Sequence, residues 1–320
     1  TYPTDTDPQA NWAFFPLYAL VCMFFKAITG GLINTYVIGM IVSNVCIIIA
    51  AFFAVKGIKK QTHIKDGYEL LMPVLMFMAP YTFYSASVYT EAMFIMFIVL
   101  FFYFLSEKKY ILACVMAACS SATRIVGCIL VFALVVQLYI DIEGEKISWG
   151  CIKDFVVTMF KNPGKIFAVL ICPFGAFSYM TFLNFFCGDA WAYKNVQIAW
   201  RDDEYFPIVG VLWKACTGQI EPRYTYMGWF CLAILVLYGY MFFRKYYAMS
   251  VFGIISLLIP LTSHVMSTCR FTFGTYVVFV GIYDILSRCN KVVRWVITGI
   301  LVIIEIYLLF LWYNSDSWLM

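Results

Sequence analysis

Charge is scarce in this chain. Only 12% of its 320 residues are Asp, Glu, Lys or Arg, against about a quarter in soluble globular domains. With 63% hydrophobic residues, the sequence cannot clothe a water-exposed surface, and an ordinary soluble fold is excluded. Histidine is scarcer still, with His63 and His264 as its 2 members. The 12 Cys are scattered singly without a C-x-x-C pair, so no metal or haem site is expected. No cofactor is implied by any motif. Alternating apolar and polar residues are missing too, which disfavours a membrane β-barrel. There is no low-complexity linker and no internal repeat, which weakens the case for a transporter assembled from repeated halves.

Long continuous apolar runs are what the sequence does have, and lipid is the solvent they suit. They lie at 33 to 55, 69 to 86, 89 to 105, 110 to 122, 125 to 140, 166 to 186, 226 to 243, 247 to 266, 271 to 287 and 293 to 313. A spanning helix needs about 20 mainly apolar residues, so an all-α, polytopic membrane protein with about ten crossings is expected, as one integral domain over 1–320. The stretch 13–28 is apolar but short, with Pro16 and Lys26 inside it and Gly30-Gly31 after it. It reads as an interfacial helix lying on the membrane.

Basic residues orient the chain, because cytosolic loops carry the excess of Lys and Arg. If 33 to 55 runs inward, Lys56, Lys59, Lys60, Lys65, Lys108, Lys109, Lys146, Lys153, Lys161, Lys165, Arg244, Lys245, Arg288, Lys291 and Arg294 are cytosolic, 15 of the 22 basic residues. The net charge of +4 is therefore a topology signal, and no nucleic-acid partner is expected. The outside then holds loop 1–12, the SASVYTE and SSATR turns, loop 187–225, SHVMSTCR and the C-terminal tail. Within the long outer loop Cys187 and Cys216 could pair; otherwise the Cys are buried structural thiols. Such compact loops lean towards a prokaryotic cell membrane over the endoplasmic reticulum.

Ionisable side chains at membrane depth cost about 2.5 to 3.5 kcal/mol on insertion scales and are functional candidates by default. Glu91, Arg124 and Arg270 all fall at outer helix ends. The planar, always-charged guanidinium matches phosphate oxygens, so Arg124 and Arg270 suit a phosphate headgroup whose lipid tail stays in the bilayer. The bland alternative is that one of them pairs with Glu91 as structural glue or snorkels to lipid headgroups. Glu305, deep in the last run, reads as a paired structural carboxylate. Loop 187–225 is dense in aromatics and acids, including Trp191, Trp200, Tyr205 and Asp202. Sugar faces stack on such rings, and an interfacial aromatic belt would place the same rings without a ligand. Glycosyl transfer also needs a carboxylate base, for which Asp5, Asp7 and Glu91 are the outer candidates.

Four blocks, WAFFPLY (Trp12 to Tyr18), APYTFYSASVYTEAMF (Ala79 to Phe94), SSATRIVG (Ser120 to Gly127) and SHVMSTCRF (Ser263 to Phe271), resemble in order and spacing the PIG-V type mannosyltransferases. VQIAW (Val196 to Trp200) with Arg201, preceded by Gly188-Asp189, resembles an outer-loop element of the bacterial members. The resemblance implies a GT-C glycosyltransferase fold, a dolichyl- or polyprenyl-phosphate sugar as donor substrate, a glycan or glycolipid acceptor, and catalysis on the luminal or periplasmic side. In that pattern FFPLY is a juxtamembrane helix closing the site, and Gln197, Trp200 and Arg201 contact sugar. The family carries its catalytic Asp in an outer loop after a first helix and before FFP. No such block precedes Trp12, so a further helix and the base are expected upstream of Thr1.

The leading expectation is a membrane glycosyltransferase, moving mannose from a polyprenyl-phosphate donor with inversion. A transporter or lipid scramblase is the rival, in which buried charges line a path to both faces. A purely structural membrane subunit, whose acids and Arg only pair with one another, is the third reading.

Overall fold

Helices of this composition form because the apolar side chains suit a nonaqueous surround while every backbone polar group is satisfied within its own helix. The computed structural model describes residues 11–62, 64, 68–199, 207–262 and 264–314, and no strand occurs among them. In chain order the first nine helices are α1 (Leu17–Ile28), α2 (Thr35–Gln61), α3 (Leu71–Met78), α4 (Phe83–Ala86), α5 (Glu91–Ser106), α6 (Tyr110–Thr123), α7 (Leu130–Glu143), α8 (Trp149–Lys161) and α9 (Pro163–Ile171). The remainder are α10 (Phe174–Cys187), α11 (Ala192–Asn195), α12 (Ile208–Cys216), α13 (Arg223–Phe243), α14 (Tyr247–Leu258), α15 (Thr268–Phe273), α16 (Tyr276–Arg288) and α17 (Lys291–Tyr313).

Local sequence sets several of these ends. The side chains of Asn34, Ser148 and Asn290 accept from backbone N–H groups of the first turns of α2, α8 and α17, satisfying donors that a helix start leaves unpaired. Gly188 ends α10 in the left-handed conformation at φ 78°, where a Cβ is disfavoured. Pro163 opens α9 at a position needing no N–H bond.

Among the described residues, four helices are long and apolar enough to cross a membrane: α2, the continuous helical stretch Ile125–Glu143, α13 and α17. The α9 and α10 pair, bent by 55°, adds a fifth if counted as one span. The other expected crossings are shorter or broken. The run 69 to 86 divides into α3 and α4 around Tyr81 at φ 66°. The run 271 to 287 divides at Gly274 and Thr275, and 247 to 266 leaves α14 for a 3-10 turn at Pro260–Thr262. Each break coincides with Pro, Gly or a polar cluster, residues that offer the backbone alternatives to the helix. The interfacial stretch condenses to α1, after a 3-10 turn at Asn11–Ala13.

The lining of the bundle is apolar inside and out. Phe101, Val277 and Phe279 are fully buried, while Phe185 and Phe243 on outward faces are 84% and 86% exposed. So large an outward apolar area is unusual for a chain surrounded by water. Tyr18 of α1 donates to the Gly39 carbonyl at 2.9 Å and meets Ser43 Oγ at 2.8 Å, fastening α1 to α2.

All eight ion pairs among the described residues join groups expected on one and the same side. Lys59–Glu69, Lys60–Glu107, Lys245–Glu145, Arg244–Asp284 and Arg288–Asp284 lie at one end of the bundle. Arg124–Glu91, Arg270–Glu91 and Arg223–Glu221 lie among the residues expected on the other.

Candidate functional site

Glu91 opens α5 and is 1% exposed. A carboxylate in a first turn is favoured by the helix dipole, but full burial needs cationic partners as well. Two are present. Arg270 donates from Nε to Glu91 Oε1 at 2.6 Å, and Arg124 Nη1 stands 3.3 Å from the same oxygen. Glu91 Oε2 is buried without a hydrogen-bond partner.

Each Arg reaches Glu91 from a break between helices. Arg124 has extended backbone, φ −152° and ψ 140°, between α6 and the 3-10 turn Ile125–Ile129. That reversal is tight enough to require Gly127, where a Cβ would lie 2.3 Å from the Ser120 carbonyl carbon. Arg270 sits in the one-and-a-half-turn helix α15, which follows Ser267 at φ 61°. Gly274 closes α15, and a Cβ there would come within 3.5 Å of Glu91 Cγ.

Aromatic rings lie close to both guanidinium groups. Arg270 lies over Tyr84 at 4.4 Å and Tyr89 at 4.3 Å, and Arg124 over Phe271 at 5.2 Å and Phe94 at 5.7 Å. Stacked Arg keeps its in-plane donors available at its edge. The two side chains are 20% and 23% exposed. One carboxylate against two guanidinium groups leaves a formal charge of +1 at a half-open site. Such a site can take an anion with several oxygens.

The loop carrying Tyr84 and Tyr89 is itself anchored. Glu305 Oε1 of α17 accepts from Thr82 Oγ1 at 2.9 Å and from the Phe83 amide at 2.7 Å. Trp312, further along α17, packs its ring 5.5 Å from Phe83. Tyr81 and Tyr226 bring their hydroxyls to 3.4 Å, tying the loop to α13. Glu305 takes part in no ion pair among the described residues; its Oε1 is held by the start of α4, and its Oε2 is buried without a hydrogen-bond partner.

The fold brings Glu91, Arg124 and Arg270 together from three segments up to 179 residues apart. Gln197 is elsewhere, in the 3-10 turn Val196–Ala199, donating to the Tyr193 carbonyl at 3.2 Å. No hydrogen bond or ion pair joins it to the Glu91 cluster among the described residues. Asp5, Asp7, Trp200 and Arg201 lie outside the described residues, as does His63. Asp189 lies just ahead of α11, accepting from the Trp191 amide and from the Asn195 side chain. Cys187 and Cys216 are free thiols, which corrects the pairing that their shared loop suggested. Two Cys on one loop are adjacent in sequence terms only, and here each ends a different helix.

Sequence reasoning did not select Tyr84, Tyr89, Phe94 and Phe271. The signal was their proximity to Glu91 and Arg270 in the same short blocks. Besides Glu91 and Glu305, a third buried carboxylate was missed altogether. Asp284, fully buried at the opposite end, accepts from Tyr240, Tyr246 and Arg288 at 2.5, 2.6 and 3.0 Å, with Arg244 at 3.6 Å. It lies inside an apolar run, four residues before Arg288.

No metal-binding group of three or more His, Cys, Asp or Glu occurs among the described residues. Compared with known proteins, the chain matches no family model, no curated protein and no solved structure.

Proposed function

We propose that this chain is a membrane glycosyltransferase of GT-C type, with about ten crossings, that takes a sugar, mannose by preference, from a polyprenyl-phosphate donor. The observation that carries the reading is the pair of Arg, each beside aromatic rings, sharing one buried carboxylate. The excess positive charge suits a phosphate headgroup, and the apolar outer surface suits the polyprenyl tail. Glu91 orients both guanidinium groups, and its second oxygen remains to accept from a donor or acceptor hydroxyl. The expected orientation puts this end on the non-cytosolic side, and the segregation of ion pairs between the two ends supports it. Gln197, Trp200 and Arg201 remain sugar-contact candidates, and Asp5 and Asp7 base candidates, on the family resemblance. A prokaryotic cell membrane is the preferred location.

The test is transfer by the purified full chain in nanodiscs, supplied with radiolabelled polyprenyl-phosphate-mannose and a glycolipid acceptor extract. A hydrogen bond to a charged group contributes about 1.5 to 3 kcal/mol. Arg124→Ala and Arg270→Ala should therefore each slow transfer by at least about tenfold. Undiminished transfer in both variants overturns the assignment.

The rival transporter or scramblase reading has one observation in its favour, the second buried charge cluster around Asp284 at the far end. Between the clusters lie fully buried Phe101 and Phe279, which a conducting path would have to displace. Flux of labelled lipid through sealed vesicles, without sugar transfer, is the outcome that would favour this rival.

A further inference from the structure

The connection between α7 and α9 was expected to be a plain cytosolic loop, Asp141 to Lys165, and it contains a helix that the function above does not use. α8 runs from Trp149 to Lys161 with no buried residue. Its attachment is light. Phe155 and Met159 pack on the core, Phe155 meets Tyr139 at 5.4 Å, and Tyr139 donates to the Lys146 carbonyl at 2.6 Å.

A neighbouring face of α8 is apolar and open. Trp149, Ile152, Val156 and Phe160 follow one another at intervals of three and four residues, which puts them on one side of a helix. They are 84, 38, 45 and 75% exposed, and Ile147 just before the helix is 79% exposed. Lys146, Lys153 and Lys161 are exposed in the same segment, and Lys165 follows. From 146 to 165 these four Lys accompany a single acid, Asp154, and of the acids just before them Glu145 is paired with Lys245 and Asp141 accepts from Tyr110. Open apolar side chains next to a cationic rim fit a surface with an apolar interior and negative headgroups. The segment also starts within a few residues of α7, which ends a stretch long and apolar enough to span, and leads into the bent α9–α10 pair. Both attachments keep α8 at the level where such a surface would lie.

We infer that α8 is a docking helix for anionic phospholipid, with Trp149, Ile152, Val156 and Phe160 seated among the acyl chains and Lys146, Lys153, Lys161 and Lys165 on the headgroups. The inference rests on the membrane reading but not on transferase chemistry, so loss of one leaves the other standing. Each Lys near a negative surface adds to the attraction, which salt screens, so binding depends on the four Lys together and on ionic strength.

Trp149 provides the readout. The full chain is reconstituted in vesicles of phosphatidylcholine carrying brominated phosphatidylglycerol or, in parallel, brominated phosphatidylcholine, and the Trp149 component is taken as the difference from Trp149→Phe. Quenching of that component should be at least twofold stronger with brominated phosphatidylglycerol. The excess should vanish in 1 M NaCl and in the variant with all four Lys replaced by Gln. Equal quenching by the two lipids, or an excess unchanged in the Gln variant, overturns the inference. So does a Trp149 component quenched by neither lipid, which would put α8 off the membrane and assign its open face to a protein partner. Because the Lys are at the surface, the Gln variant keeps the fold, and unchanged transfer by it separates this result from any failure of the glycosyltransferase reading.

Discussion

Glu91 is the residue whose surroundings constrain it most. It is buried at the start of a helix, and two cations reach it from separate segments. Removing one partner of a buried pair strands the other charge, at about 3 to 5 kcal/mol. Glu91→Gln should accordingly lower the melting temperature markedly, because two guanidinium groups lose their counter-charge. Arg270→Lys should behave differently. It keeps the charge near Glu91 Oε1 but loses the planar fork that lies against the Tyr84 and Tyr89 rings. Thermal unfolding in detergent should therefore show a larger drop for Glu91→Gln than for Arg270→Lys, while transfer suffers in both. Equal drops would mean that the ring stacking contributes as much as the ion pair. The two Arg and the Glu were legible as residues, because charge in an apolar context is conspicuous. Their rings were not, because 20% of this chain is aromatic and one more Tyr carries no signal.

At the scale of elements, the joint between α6 and the α9–α10 bend positions Arg124. Ser121 Oγ shares its proton between the Ala118 carbonyl of α6 at 2.8 Å and the Cys172 carbonyl at 3.2 Å, and it accepts from the Ala176 amide at 3.2 Å, bridging the backbone at the bend. Gly175 lets α10 approach so closely that a Cβ there would lie 2.2 Å from the Ala118 carbonyl oxygen. Gly175→Ala must push the two helices apart, and overpacking of this kind costs about 1 to 3 kcal/mol. A Cβ on Gly164 in α9 would meet nothing within 4 Å, so Gly164→Ala should be neutral or slightly stabilising in a helix. Melting temperatures of the two variants check this, with a fall expected for Gly175→Ala alone. The SSATR block was conspicuous for its Arg, yet its Ser and Gly carry the geometry. Small residues are silent in composition and become visible only when a second helix is found against them.

For the whole molecule, the separation of charge between two ends is the organising feature. Residues expected to be cytosolic pair with one another, as in Lys60 with Glu107 and Lys245 with Glu145. The Lys60 ammonium hydrogen-bonded to Glu107 holds that carboxyl below its usual range, a surface effect that salt would screen. If the positive-inside orientation holds, a side-specific reporter placed after Glu145 should read cytosolic and one placed after Gly218 should read non-cytosolic. The same side for both would overturn the topology and with it the placing of the Arg pair. The span count shows where sequence reading stops at this scale. Hydropathy registers apolar runs, and in a run such as 69 to 86 it cannot tell one straight helix from α3 and α4 around a left-handed Tyr81.

The sequence by itself determined the helical class and the abundance of apolar surface, because each is a sum over many residues that no single contact can reverse. Which helices break, and that Arg124 and Arg270 meet on one carboxylate oxygen, only the tertiary structure decided. Those features depend on interhelix contacts a few ångströms wide between segments far apart in the chain. The charge on Arg270 could be read from one letter, but its partner, 179 residues away, had to be brought there by folding.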